Sequence, residues 1–184
     1  MKVILLSGFM KSGKDYIGNI LTDKFLFKRL AFADKLKDEV SDLYKIDRQL
    51  MDTQQGKETE INGKSVRDIL ITHAQNKRKI DTHHWCHYIK DDILSCDDYI
   101  VITDWRFLEE FLYLKKLNLD IITIRIIRES VKGNNCETEN ELNNFNFDYI
   151  LENNKNDSYI VKFFQQILKN QYFDLTDKIN INFR

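Results

Sequence analysis

The chain has 184 residues, with 28 basic and 29 acidic side chains and a formal charge of −1. So even a balance gives no overall field for nucleic acid or a membrane surface, and no run of some 18 or more uncharged apolar residues exists to span a bilayer. The length fits one domain, 1–184, with enough chain to bury a real core.

Lys2–Ser7 is apolar on both faces and reads as a buried parallel strand, so no signal peptide is expected. A glycine-bearing loop follows, Gly8-Phe9-Met10-Lys11-Ser12-Gly13-Lys14-Asp15. The next helix places Ile17, Ile20, Leu21 and Phe25 at helical spacing. Leu30–Ala33 is a short second-strand candidate, and Leu36, Val40, Leu43 and Tyr44 form a helical stripe. The stretch from about Asp47 to Lys64 is polar, contains Gly56 and Gly63, and reads as loop-rich. Val66–Lys77 is helical, with Val66, Ile69, Leu70 and His73 on one side, and Trp85, Tyr88, Ile89 and Ile93 make another apolar face. Tyr99–Thr103 is a strand, Leu108, Phe111, Leu112 and Lys115 open a helix, and Ile121–Ile127 is the most strand-like run.

Residues 128–146 are polar and asparagine-rich, a mobile-lid candidate whose cations are read as Arg125, Arg128 and Lys132, with a solvated loop face as the equal alternative. Phe147–Leu151 is a last core strand, and Ile160, Phe163, Phe164, Ile167 and Leu168 mark a closing helix. The tail from Phe173 to Arg184 roughly alternates and fits either an edge strand or a partner-binding segment. Strands alternating with helices give an α/β fold, a parallel β-sheet with helices on both faces, whose ligands sit beyond the carboxyl ends of the strands. Proline is absent, so turns rest on Gly, Asn and Asp. Cys86, Cys96 and Cys136 are an odd set with no C-x-x-C pair, which fits a reducing, cytoplasmic setting.

Gly8 and Gly13, followed at once by Lys14, have the pattern of a phosphate-cradling loop between a strand and a helix. Such a loop turns its backbone N–H groups inward and sets the positive end of the helix against an anion. Lys14 would meet the β- and γ-phosphates of ATP as a point charge. Asp15 stands where a serine or threonine usually holds Mg²⁺. It is either a carboxylate ligand of that hard cation or a helix N-terminal acid favoured by the dipole. Asp104, at the end of an apolar strand, is placed like a Mg²⁺-binding aspartate, and Arg106 would stabilise charge on a transferring phosphoryl group. Alternatively, the two form an ordinary turn with an ion pair.

Lys35, Lys37, Arg67, Arg78 and Lys79 with Trp85 form a basic and aromatic set. Cations for a phosphate and a flat ring for a base suit a nucleotide acceptor, whereas solvated lysines and a core tryptophan are the plain alternative. Two other patterns weigh less. His83, His84, Cys86 and His87 lack a second ligand group at structural-zinc spacing. Asn154-Lys155-Asn156-Asp157 matches the N-K-x-D pattern of guanine recognition, but no D-x-x-G stretch accompanies it.

Six segments follow one another in the order seen in phage-type deoxynucleoside monophosphate kinases: Gly8–Asp15, Leu30–Lys37, Ser65–Arg67, Trp85, Thr103–Arg106 with Glu110, and Phe147–Asn153. The chain resembles that family, and the same order is similar to animal phosphomevalonate kinase. Leu50–Thr53, Lys57 and Glu137–Asn146 look closer to the latter branch. The resemblance implies a P-loop NTPase of the nucleoside monophosphate kinase type with a lid at about 128–146 and an acceptor-binding region at about 34–95. It implies ATP- and Mg²⁺-dependent phosphorylation of a deoxynucleoside monophosphate, with Lys14, Asp104 and Arg106 catalytic. Gly8, Lys11, Ser12, Gly13, Lys14, Asp15, Tyr16 and Asn153 would bind ATP, with Asn153 near the adenine. Lys37, Arg67, Arg78, Trp85, Asp104, Arg106 and Glu110 would build the acceptor side, and Asp15 and Asp104 the metal site. Met10 replaces a basic residue usual in the family loop, with Lys11 beside it as its substitute. The chain lacks most of an insertion that the phage enzymes carry before Ser65, which leaves base preference and a homodimer open. Phosphomevalonate kinase and a non-catalytic ATP-binding protein are the alternative readings; neither nucleic acid nor membrane is an expected partner.

Overall fold

The computed structural model describes residues 2–97, 99–131 and 140–170. Two compact units are present: one holds the described residues up to Leu30 and from Cys96 onward, the other Ala31–Ser95.

In the first unit, β1 (Lys2–Ser7), β2 (Lys28–Leu30), β5 (Ile100–Ile102), β6 (Asp120–Ile127) and β7 (Tyr149–Glu152) form one sheet. Its strand order is β2-β5-β1-β6-β7, and every pairing is parallel. Side chains alternate across a strand. Ile4 and Leu6 of β1 therefore join Ile122, Ile124 and Ile126 of β6 in one core, together with Ile17, Ile20 and Leu21 of α1 (Lys14–Phe25). Ile160, Phe164, Ile167 and Leu168 of α7 (Asp157–Asn170) complete that core. Val3, Leu5, Ile100 and Ile102 face the other way and are also fully buried, as in a sheet covered on both sides. The expected α/β class with a parallel sheet is what the chain adopts.

The strand β2 ends at Leu30, earlier than the apolar Leu30–Ala33 run implies, and α2 (Phe32–Tyr44) begins almost at once. A short apolar run has no period that separates strand from buried helix. Lys28, Arg29 and Leu30 are in register with Ile100, Val101 and Ile102, and the β2 pairing stops there.

The second unit packs α2 with α4 (Val66–Ile80) and α5 (His84–Leu94). Val40, Ile46, Met51, Val66 and Leu70 form a core, and Trp85, Ile89 and Ile93 are buried on α5. The 47–64 stretch is more ordered than its polarity implies. It holds a 3₁₀ turn (Arg48–Met51), a short α3 (Gln54–Lys57) and a hairpin of β3 (Glu60–Ile61) with β4 (Lys64–Ser65). The hairpin turn is Asn62-Gly63, a two-residue signal legible in the sequence. Met51 is fully buried beneath it all. Ser65 caps α4 by accepting the Asp68 N–H at 3.0 Å.

In α6 (Leu108–Lys115), Leu114 is fully buried. Trp105, fully buried, meets the rings of Phe111, Phe145 and Phe147 at 5.8, 5.0 and 5.5 Å. The second half of the candidate lid is therefore anchored, with Leu142 only 2% exposed. The Leu108 N–H donates to Glu141 at 2.9 Å. Lys132, Cys136 and the tail 173–184 lie outside the described residues. No helix among the described residues is long and apolar enough to cross a membrane.

Candidate active site

The strand order places the sheet's switch point at β1: the chain leaves β1 for one side through β2 and β5, and returns on the other through β6 and β7. Ligands of such sheets lie beyond the carboxyl ends of the strands there. The loop Gly8–Gly13 leaves β1 at that end. Gly8 is squeezed: a Cβ on it would lie 2.6 Å from the Ile126 carbonyl oxygen. Gly13 has φ +96°, a backbone state few side chains tolerate, and ends the loop directly before α1. Between them the Ser12 N–H donates to the Phe9 carbonyl at 3.0 Å.

Lys14 folds over this loop. Its Nζ donates to the carbonyls of Gly8 and Phe9 at 2.6 and 2.9 Å. Two carbonyls hold the ammonium group at the mouth of the loop. The Ser12 hydroxyl is buried with no hydrogen-bond partner among the described residues, an orphan that an anion's oxygens would satisfy. These residues fit a polyphosphate.

A cleft of about 590 Å³ adjoins the loop, lined by Gly13, Tyr16, Arg128, Asn153 and Lys155 among others. The Tyr16 hydroxyl donates to Asp157 at the start of α7, and that bond raises the phenol above its ordinary pKa. Asn153, expected near an adenine, instead donates its side-chain N–H to the Ser12 carbonyl at 2.8 Å while also lining the cleft.

Asp104 follows β5 by two residues, and alternation beyond that strand leaves Asp104 and Arg106 partly exposed while Trp105 is buried. The Trp105 indole N–H donates to the Phe107 carbonyl at 2.7 Å and locks the turn. Glu110 is corrected by the structure. It is 3% exposed, and its carboxylate accepts the backbone N–H groups of Arg106 and Phe107, both at 3.1 Å. It supports the backbone that carries Arg106 instead of standing open to an acceptor.

Arg125 is also corrected. It belongs to β6, not to a lid, and donates to Ser7 Oγ and Asn143 Oδ1, each at 3.0 Å. Its guanidinium stacks 4.7 Å from the Phe9 ring and 5.6 Å from that of Phe147. The isolated Arg in an apolar strand was the signal that could have marked it.

Asp15 lies in the first turn of α1, largely exposed, 3.5 Å from Arg29. Asp15 and Asp104 each offer carboxylate oxygens suited to Mg²⁺, and among the described residues no cluster of three or more His, Cys, Asp or Glu forms a self-sufficient cation site. These two carboxylates would be the protein's share of the ligands of a Mg²⁺ bound with a nucleotide. His83 and His87 stand ring to ring at 6.4 Å, with His87 3.3 Å from Asp81.

In the second unit the candidate cations are engaged with acids. Lys37 lies 2.9 Å from Asp52 and 3.7 Å from Asp34. Arg48, absent from the sequence candidates, pairs with Asp52 at 2.6 Å and Asp38 at 2.8 Å. Hydrogen bonds from Arg48 first, then Lys37, hold the Asp52 carboxyl below its usual range against the opposing effect of burial. Arg67 donates to Glu58 at 3.2 and 2.8 Å, and Arg78 is half-buried on the last turns of α4. Trp85 is 4% exposed, packed against His84 at 4.6 Å and His73 at 6.3 Å. So buried an indole presents no face for a base, and in this structure it is core. Nearby, Glu39 receives Lys77 at 2.5 Å, His73 at 3.2 Å and His84 at 3.4 Å.

The sequence profile of the family described as phosphomevalonate kinase matches residues 6–120, more than half the chain. The chain belongs to the phosphomevalonate kinase family. The matched segment contains the phosphate loop, Asp104 and Arg106, and all of the second unit. Among solved structures, dephospho-CoA kinase from Campylobacter jejuni is similar at 16% identity, with 93% of this chain and 100% of that one covered and a TM-score of 0.52. TT1252 from Thermus thermophilus is similar at 12% identity, with 91% and 96% covered and a TM-score of 0.53. At such identities the likeness concerns the fold, which is that of P-loop kinases. No match was found among curated proteins.

Proposed function

We propose that this chain transfers the γ-phosphoryl group of ATP to an acceptor that already carries a phosphate, and that the acceptor is a deoxynucleoside monophosphate. The observation that carries the kinase reading is the phosphate loop, with Lys14 poised on the Gly8 and Phe9 carbonyls beside a buried, unpartnered Ser12 hydroxyl. An acceptor phosphate is already anionic at neutral pH, so its oxygen attacks in line without a general base. The γ-phosphate bond to the leaving ADP breaks as the new P–O bond forms. Positioning and charge neutralisation then do the catalytic work. Lys14 holds the donor phosphates and Arg106 meets the charge on the group in transfer. Asp15 and Asp104 would hold Mg²⁺, which when bound would supply further charge neutralisation. Lys37 and Arg67 attract the acceptor's phosphate by exchanging their carboxylate partners for it, and Arg78 adds its charge.

The deoxynucleotide assignment is supported by the order of the segments from Gly8 to Asn153. It is also supported by Tyr88 on α5, which at 49% exposed leaves a ring open to a base. A second reading, phosphomevalonate as acceptor, is favoured by the family match over residues 6–120. ADP release is measured in a coupled assay over the four deoxynucleoside monophosphates and phosphomevalonate, with a no-acceptor control. Turnover with one or more deoxynucleotides is expected. Turnover with phosphomevalonate alone replaces the acceptor, and ATP binding with no turnover on any acceptor overturns the kinase reading in favour of a nucleotide-binding scaffold.

A further inference from the structure

We propose that Asn153 is a positioning residue of the phosphate loop: its amide fixes the Ser12–Gly13 peptide for any bound polyphosphate and does not read the donor's base. The proposal rests on the phosphate-loop reading above and is independent of the acceptor's identity.

Asn153 sits one residue beyond β7, where its backbone N–H donates to the Ile127 carbonyl at 2.7 Å. The residue is thus held by the sheet, not by a free loop. From there its side-chain nitrogen donates to the Ser12 carbonyl at 2.8 Å. A carbonyl only accepts, so the amide must present its nitrogen here. A peptide unit is planar and trans, with its C=O and N–H pointing in opposite directions. Drawing the Ser12 carbonyl toward Asn153 therefore directs the Gly13 N–H the other way. That N–H is the last of the loop before Lys14 opens α1, where donors aimed at an anion are needed.

Gly13 makes the contact possible. A Cβ on it would lie 2.1 Å from the Asn153 side-chain nitrogen, so glycine and asparagine are fitted to each other. The φ of +96° at Gly13 is the backbone state that the pinned peptide requires. Loop, glycine and amide form one preorganised unit, and the phosphate donors are aligned before the ligand arrives.

The test uses the full chain and two probes, ATP and inorganic tripolyphosphate, each with Mg²⁺, titrated calorimetrically. Two variants are compared with wild type at a temperature where circular dichroism shows them folded. Asn153→Asp is nearly isosteric but sets an acceptor against the Ser12 carbonyl, and Asn153→Ala removes the donor. Both probes are expected to bind about tenfold more weakly to each variant, by the same factor, as the loss of one such hydrogen bond dictates. Weaker ATP binding with unchanged tripolyphosphate binding would make Asn153 a base reader and overturn the proposal. Unchanged binding of both probes overturns it, and so does failure of both variants to fold, which would assign Asn153 to holding the sheet. Wild-type protein that binds neither probe overturns the phosphate-loop reading itself, and this proposal with it.

Discussion

The two compact units keep their charged groups in different ways. Around the phosphate loop three polar side chains are pinned to backbone: Lys14 to the Gly8 and Phe9 carbonyls, Asn153 to the Ser12 carbonyl, and Glu110 to the Arg106 and Phe107 N–H groups. In the 31–95 unit the cations are pinned to carboxylates: Lys37 and Arg48 to Asp52, Arg67 to Glu58, Lys77 to Glu39. Backbone groups are fixed by the fold, so the first arrangement is rigid and its geometry is set before any ligand binds. Surface carboxylates are exchangeable partners, so the second arrangement stores positive charge in a form that an incoming anion competes for. On the proposed function, the donor side would be built for geometry and the acceptor side for charge.

The sharpest way to break this contrast is to remove a charge from the rigid side. Lys14→Ala and Arg106→Ala are each expected to lower kcat by about 10²–10³ or more, with the melting temperature unchanged. Steady-state kinetics and calorimetry on the purified variants check this. Wild-type-like turnover in Arg106→Ala would remove that residue from the mechanism.

Next comes the buried aromatic of the second unit. Trp85→Ala is expected to destabilise the protein by about 3–5 kcal/mol, as large-to-small changes in a core do. Trp85→Phe, which keeps most of the volume, is expected to leave the ranking of acceptors unchanged. A changed ranking in Trp85→Phe would return the indole to the acceptor site.

A smaller effect is expected from the exchangeable cations. Arg67→Ala and Lys37→Ala should each raise the acceptor KM about tenfold and leave the ATP KM alone, since one charge-assisted contact is lost on one side only. Equal changes in both KM values would contradict the division of labour between the units.

The smallest effect is a pH dependence. Burial pushes the Glu39 carboxyl up, but the hydrogen bonds from Lys77, His73 and His84 outweigh it and leave the group below its ordinary pKa. A carboxyl depressed in the folded state stabilises the fold above its unfolded pKa, about 4.3. That contribution disappears as pH falls through the lower folded value. The melting temperature should therefore drop by on the order of a few degrees as pH falls below about 4, and Glu39→Gln should flatten that part of the profile.

Much of the fold was legible because its signals are local. The runs Lys2–Ser7 and Ile100–Ile102 are apolar on both faces, as a covered parallel strand requires, Ile121–Ile127 is rich in β-branched residues, and the stripe Ile17-Ile20-Leu21 fixes the face of α1. The elements that were misread have no local signature strong enough. Leu30–Ala33 is too short for its period to speak, and the polar 47–64 stretch owes its order to the buried Met51, which composition hides. The site was legible in part for the same reason. Gly8, Gly13 and Lys14 announce themselves by spacing, since backbone close to phosphate demands glycine and charge.

The sequence by itself therefore determined the sheet's strands other than β2, the loop that leaves β1 and the lysine at its end, because each follows from residue type at fixed spacing along the chain. Only the tertiary structure decided which polar side chains act on that loop. The Asn153 amide meets Ser12 across 141 positions, and Arg125 meets Ser7 across 118. Both contacts exist because a parallel sheet brings the carboxyl ends of β1, β6 and β7 side by side, a proximity that no local pattern in the chain encodes.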